Sequence, residues 1–265
     1  MPTTDQNGRT LCFEASAPNG PAILFLNSLG TALGMWDAQA KVLADAFHVI
    51  RFDWPGHGGS TQPKNIPAAI GTLVDDALKV LDANDAKQAH IVGLSLGGLV
   101  AQAIALHAPE RVLSLTLCAT SAGFGPPDMW SDRAEIVRRE GMVPMVIASR
   151  PRWFTSDFME RNSAESERLF DMLRAVRPEG YALCCEILRD TDLRPHLPSL
   201  RPLNLPVQLI AGAQDAAATP ARLEEIRDLL GYGHLSILED AAHILNVEQA
   251  KQVTGLIRDF ILGDR

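Results

Sequence analysis

Six short apolar runs limit the fold of this chain more than any other feature. They lie at residues 22–27 (AILFLN), 47–53 (FHVIRFD), 89–94 (AHIVGL), 112–119 (VLSLTLCA), 206–212 (PVQLIAG) and 234–240 (HLSILED). Each is bounded by Gly, Pro, Asn or Asp and is apolar along nearly its whole length. A strand with one wet face alternates; a near-continuous run suits a strand buried on both faces of a parallel sheet. Between the runs, residues 69–84, 96–109, 221–230 and 250–262 carry helical periods. This alternation predicts a doubly wound, mostly parallel α/β sheet. A weaker alternation at 11–17 (LCFEASA) predicts an edge strand.

The rhythm breaks between about residues 122 and 201. MWSDRAEIVRREGM, ESERLFDMLRAV and YALCCEILRDTDL are helix-like, are separated by Pro144, Pro151 and Pro178, and contain no strand pattern. The expected organisation is therefore a core of residues 1–121 and 202–265, with a helical cap or lid inserted at 122–201. Such a lid would cover the carboxyl ends of the strands, where open α/β sheets bind ligands.

With 265 residues, 46% of them hydrophobic, the chain is long enough for one large α/β domain and a core that needs no staples. A net charge of −8 and the absence of a basic run argue against nucleic acid and anionic membrane as partners. An anionic small molecule is a different matter, because a local pair of arginines outweighs a diffuse distant field. Cys12, Cys118, Cys184 and Cys185 follow no disulfide or metal-binding spacing and are expected to be plain buried thiols. The opening MPTTDQNGRT lacks a signal-peptide pattern and no apolar run approaches a membrane span, so the expected location is the cytoplasm.

Chemistry concentrates where the run at 89–94 meets the helix at 96–109. Gly93-Leu94-Ser95-Leu96-Gly97-Gly98 is a Gly-x-Ser-x-Gly motif between a strand and a helix, the context of a nucleophile elbow. In such a turn the glycines let strand and helix approach closely. The N–H of Leu96 then points from a helix N-terminus toward the place where an oxyanion forms.

A serine hydroxyl attacks only if a base takes its proton and a carboxylate orients that base. On this fold the acid and the histidine follow the serine, each in a loop after a late strand. Asp215 follows the strand at 206–212, and His243 follows the strand at 234–240. His48, His90, His107, His196 and His234 lack that order and loop position. Asp240 is the rival acid; Asp215 is preferred because an orienter should face the base from a separate loop. The loop after the first central strand, FLNSLGTALGMWD, supplies the second oxyanion donor, the N–H of Leu29. His57, between glycines in DWPGHGGS, precedes the serine and is expected to serve turn packing rather than catalysis.

These residues resemble the α/β-hydrolases and, within them, the 3-oxoadipate enol-lactonases. The likeness runs over nearly the whole chain. It is carried by NSLGTALGMWDAQ (27–39), GLSLGGLVAQAIALHAPERV (93–112), RWFT (152–155), PEGYALCCEILRDTDLR (178–194), AGAQDAAATP (211–220) and AAHILNVEQ (241–249). One departure is Trp54-Pro55-Gly56-His57-Gly58, where the family commonly has Thr-Arg-Gly-His-Gly; it bears on the substrate if that arginine helps hold the substrate or the lid.

The resemblance implies a small lactone with a free carboxylate, opened by water to a 3-oxo dicarboxylate without metal or organic cofactor. Trp130 and Arg133, three apart on one helix face, and Trp153 are candidates to line the substrate pocket, against the plainer roles of packing and solvated charge. A general carboxylesterase or a carbon–carbon bond hydrolase would use the same triad, and a non-catalytic small-molecule receptor could keep the same fold.

Overall fold

The computed structural model describes residues 1–6, 8–61 and 66–263. Its strands are β1 (Thr3–Gln6), β2 (Arg9–Ala15), β3 (Ala22–Leu26), β4 (His48–Phe52), β5 (Ala89–Leu94), β6 (Val112–Cys118), β7 (Val207–Gly212) and β8 (His234–Leu238). They form one sheet in the order β1-β2-β4-β3-β5-β6-β7-β8. The pairs β1–β2 and β2–β4 are antiparallel, and all other pairs are parallel.

Helix α1 (Asp37–Leu43) follows β3, α2 (Ile70–Ala83) follows β4 and α3 (Leu96–His107) follows β5. Five helices occupy the connection from β6 to β7: α4 (Pro127–Glu140), α5 (Val143–Trp153), α6 (Ser156–Arg161), α7 (Ser163–Ala175) and α8 (Pro178–Asp190). Helix α9 (Pro220–Leu230) joins β7 to β8, and α10 (Leu245–Glu248) and α11 (Ala250–Leu262) complete the described chain. Every residue of β3, β4 and β7 is buried, so both faces of the sheet centre are covered, as their continuous hydrophobicity predicts.

Strand order fixes where a ligand can sit. From β3 the chain moves to β4 on one side and then returns to β5 on the other. The loops leaving β3 and β5 therefore diverge, opening a crevice at the carboxyl end of the sheet. Leu26, the last residue of β3, pairs with Gly93 of β5, which sets the two loops side by side. Gly212 likewise pairs with Leu238, bringing the loops after β7 and β8 together.

The structure departs from the sequence-based expectations in three places. Strand β1 is an additional edge strand built from polar residues, Thr3-Thr4-Asp5-Gln6, held by backbone pairing to β2 rather than by an apolar face. The stretch read as a loop after β3 contains a short 3-10 turn, Leu33–Trp36, and then α1. Burial of Leu33, Met35 and Trp36 holds that turn in the absence of a side-chain cap. Strand β8 ends at Leu238, so Glu239 and Asp240 lie beyond it. All four cysteines are buried and unpaired. Among the described residues no helix is long and apolar enough to cross a membrane.

Candidate active site

Ser95 sits between β5 and α3 with φ 57° and ψ −113°, a conformation that L-residues avoid. The flanking glycines explain how the chain reaches it. A Cβ on Gly93 would lie 2.2 Å from the Gly97 carbonyl oxygen, and one on Gly97 would lie 2.1 Å from that of Leu26. Both contacts are with backbone that cannot move aside, so any larger residue would push the elbow off the sheet. The Ser95 N–H is anchored to Cys118 O at 3.0 Å, and its carbonyl accepts from Thr120 Oγ1 at 2.7 Å. Leu96 is the first residue of α3, where backbone N–H groups have no intrahelical partner.

The loops after β7 and β8 bring Asp215 and His243 into contact. His243 Nδ1 lies 2.8 Å from Asp215 Oδ2, and both side chains are buried. The other carboxylate oxygen accepts the N–H groups of Ala217 at 2.7 Å and Ala218 at 2.9 Å. Burial alone would raise the Asp215 carboxyl. His243 and the two backbone donors outweigh it and hold the group below the usual carboxylate range. An ionised Asp215 takes its hydrogen bond from Nδ1–H, which leaves Nε2 of a neutral His243 as the proton acceptor. Asp240 makes no such approach: it is exposed, and its carbonyl accepts from Gln249.

The His243 loop is tied on both sides. Ile244 N–H donates to Trp153 O at 2.9 Å, and Ala242 N–H donates to Glu248 Oε2 at 2.8 Å. The second oxygen of Glu248 accepts from the Thr155 N–H and hydroxyl, so the α5–α6 junction and the histidine loop are fixed to each other.

The turn after β4 supports the loop after β3. Asn27 Nδ2 donates to Phe52 O at 2.7 Å, and the Trp54 indole donates to Asn27 O at 2.9 Å. Asp53 accepts from Leu33 N–H at 2.7 Å and from Gly59 N–H at 2.9 Å. Trp54 is therefore a buried strut of the loop after β3, and neither it nor Pro55 lines the cavity described below. Their departure from the family pattern acts on the scaffold at this point.

His57 is wholly buried. Its Nδ1 meets Pro55 O at 3.0 Å, a contact that requires a proton on Nδ1, and its Nε2 accepts Gly30 N–H at 3.2 Å. Burial outweighs the Pro55 contact and pushes the imidazole down to about 4. Unfolded His57 takes a proton near pH 6.5 while the folded side chain stays neutral, so its contribution to stability falls as pH drops from about 6.5 to 4. Urea unfolding should show the stability gap between wild type and His57→Asn narrowing by about 3 kcal/mol from pH 7 to pH 4. A gap independent of pH would contradict neutral burial.

Ser95 and His243 face one cavity of about 200 Å³. The sequence-predicted Leu29, Trp130, Arg133 and Trp153 also line it. Asp215 stands behind His243, and Leu96 contributes backbone at the helix start rather than a lining side chain. The Arg133 guanidinium lies 5.0 Å from the Trp130 ring centre, and Trp153 stacks on Phe170 at 5.6 Å.

Two further arginines reach the cavity that sequence reasoning did not place there: Arg152 of α5 and Arg222 of α9. The cavity is lined by no Asp or Glu among the described residues. Arg152 is pushed down by burial and by the like charge of Arg133, with Tyr181 partly opposing. The Tyr181 phenol, buried at the same wall, is held protonated chiefly by that burial. Positive charge is thus gathered at one cavity, inside a chain whose net charge is −8. The adjacency of Arg152 to Trp153 was the available signal; for Arg222, in the first turn of α9, no local pattern marks it out.

Comparison with known proteins agrees with this architecture. The profile of the alpha/beta hydrolase fold family matches residues 21–143. "3-oxoadipate enol-lactonase 2" of Acinetobacter baylyi is 40% identical over 229 residues, covering 86% of this chain and 84% of that protein. "3-oxoadipate enol-lactonase 1" of the same organism is 32% identical, covering 97% and 95%. The crystal structure of the enol-lactonase from Burkholderia xenovorans LB400 superposes with a TM-score of 0.93 at 38% identity, covering 98% of this chain and all of that one. The chain therefore belongs to the α/β-hydrolase fold family and is a carboxylic ester hydrolase similar to 3-oxoadipate enol-lactonases.

Proposed function

We propose that the protein opens a small, carboxylate-bearing enol-lactone to a 3-oxo dicarboxylate through an acyl-enzyme on Ser95. One observation carries this reading: a serine on a strained elbow and a histidine bound to a buried carboxylate face one small cavity rich in arginine. The likeness to 3-oxoadipate enol-lactonases supports the lactone as substrate.

In the proposed cycle His243 Nε2 takes the Ser95 proton as Oγ attacks the lactone carbonyl. Asp215 stabilises the imidazolium so formed. The N–H groups of Leu29 and Leu96 hold the oxyanion. Collapse of the tetrahedral intermediate breaks the ring C–O bond and expels an enolate, which takes up the proton held on His243 Nε2 and tautomerises to the ketone, leaving His243 neutral again. The leaving group is already good, so the step needs little acid assistance. Water, deprotonated by His243, then releases the acyl group as a second carboxylate. Nothing in this chemistry requires a metal or an organic cofactor.

Residues 122–201 act in this reading as a cap that closes the crevice. Arg133 and Arg152 receive the substrate's free carboxylate, with Trp130 and Trp153 as walls. Alanine at Arg152 should raise KM for the carboxylate-bearing lactone about 10–100-fold, the range for a hydrogen bond to a charged group. KM for the corresponding methyl ester should scarcely change. Equal effects on both would remove the anion-binding role. The reading as a whole is tested by following ultraviolet loss of the enol-lactone beside p-nitrophenyl acetate and a ring-fission dienoate. The expected order puts the enol-lactone first by kcat/KM, and preference for either comparator would overturn it.

A further inference from the structure

The oxyanion loop contains a side chain that the catalytic cycle above does not use. Thr31 is wholly buried, and its hydroxyl lies 2.8 Å from the carbonyl oxygen of Ser28. We propose that Thr31 is a positioning residue, whose hydroxyl aims the Leu29 N–H at the oxyanion. The inference rests on the reading of Ser95 and Leu29 given under Proposed function.

Peptide geometry supplies the link. The Ser28 C=O and the Leu29 N–H belong to one planar trans unit and point in opposite directions. Whatever fixes the oxygen therefore fixes the hydrogen. The Ser28 oxygen takes two bonds, from Thr31 Oγ1 at 2.8 Å and from Thr31 N–H at 3.3 Å. The hydroxyl bond is the shorter and carries the greater share of the restraint.

Thr31 Oγ1 also lies 2.9 Å from Met35 Sδ. A hydroxyl has one proton, and a carbonyl oxygen is a better acceptor than a thioether, so the proton goes to Ser28. Met35 Sδ in turn receives the Ser28 N–H at 3.4 Å.

The next peptide is held independently. Gly30 has φ +84°, and its N–H donates to His57 Nε2. The peptides on either side of the Leu29 α-carbon are thus both restrained, one by Thr31 and one by His57. A donor held in this way before substrate arrives does not have to reorganise as charge develops, which is the condition for strong oxyanion stabilisation. The order Asn-Ser-Leu-Gly-Thr follows: Asn27 ties the loop to β4, Thr31 turns the peptide, and Gly30 allows the bend.

The test compares Thr31→Val, which removes the hydroxyl and keeps the shape, with Thr31→Ser, which keeps the hydroxyl. Losing an entire oxyanion donor costs about 10²–10³ in kcat, and a donor that is only misaimed should cost about 10–30-fold. The expected result is that loss in kcat for Thr31→Val, with KM within about twofold of wild type and most of the rate restored in Thr31→Ser. Phenylboronic acid, which forms a tetrahedral adduct with the serine, should lose affinity by a similar factor. Affinity for 3-oxoadipate, which forms no such adduct, should hold.

Wild-type kcat in Thr31→Val, or a loss that Thr31→Ser shares in full, would overturn the proposal. If Thr31→Val does not fold, the same comparison is made with Thr31→Ala. Ser95→Ala assayed alongside separates the two failures. An active Ser95→Ala sinks the underlying mechanism, whereas an inactive Ser95→Ala beside an unimpaired Thr31→Val sinks only the role of Thr31.

Discussion

Ser95→Ala should lower kcat/KM on the enol-lactone by about 10⁴–10⁶-fold while leaving the fold intact. The size of the effect follows from the absence of an alternative nucleophile in the proposed cycle. Water in the cavity would still meet the proposed oxyanion donors and His243, but the acyl-enzyme step could not occur. Alanine also fits the elbow. It removes one hydroxyl and leaves Gly93 and Gly97 to make the close approaches that shape the turn. The residue's positive φ is retained at similar steric cost, so circular dichroism and melting temperature should stay near wild type. A variant keeping more than about a tenth of the activity would show that the reaction does not pass through Ser95.

Asp215→Asn should reduce kcat by about 10⁴-fold with little change in structure. The carboxylate accepts from His243 Nδ1, so in the neutral imidazole the proton sits on Nδ1 and Nε2 is left open as the proposed base. An asparagine can turn its amide nitrogen toward Nδ1 instead, and that places the imidazole proton on Nε2, where it blocks transfer from Ser95. The variant would also lose the negative charge that stabilises the imidazolium. Asp240→Asn supplies the contrast: its side chain is exposed beyond β8, and activity should remain within about twofold of wild type. The reverse pattern would move the acid to Asp240.

Much of the site is legible in the sequence because its parts are local. The elbow can be read from one strand, two glycines and one helix start. Asp215 and His243 can be read from their position just beyond late strands, since chain order and loop placement are properties of the sequence itself. The strands of the sheet centre are equally plain, because burial on both faces leaves an unbroken apolar run in β3, β4 and β7.

What escaped depends on contacts between distant segments. Strand β1 has no apolar pattern and exists through its ladder to β2. Arg152 of α5 and Arg222 of α9 join Arg133 of α4, which the sequence did suggest, at one cavity only in the folded chain. His57 reads as a packed turn residue, and packed it is; its bond to Gly30 across 27 positions gives it a second duty that spacing cannot reveal. Trp54-Pro55 reads as a change that bears on the substrate if the family's arginine helps hold the substrate or the lid; the bond from the Trp54 indole to Asn27, 27 positions away, is not visible in that pattern.

The central claim is that one hydroxyl, activated by His243, carries the acyl group. Stoichiometric labelling with a small alkyl fluorophosphonate, followed by peptide mass mapping, tests it most directly. One phosphonyl group per chain should appear on the peptide containing Ser95, with hydrolysis of the enol-lactone lost in proportion. His243→Ala should take up the label far more slowly. Full enol-lactone turnover by a chain quantitatively labelled at Ser95, or inactivation with the label on another residue, would contradict the account.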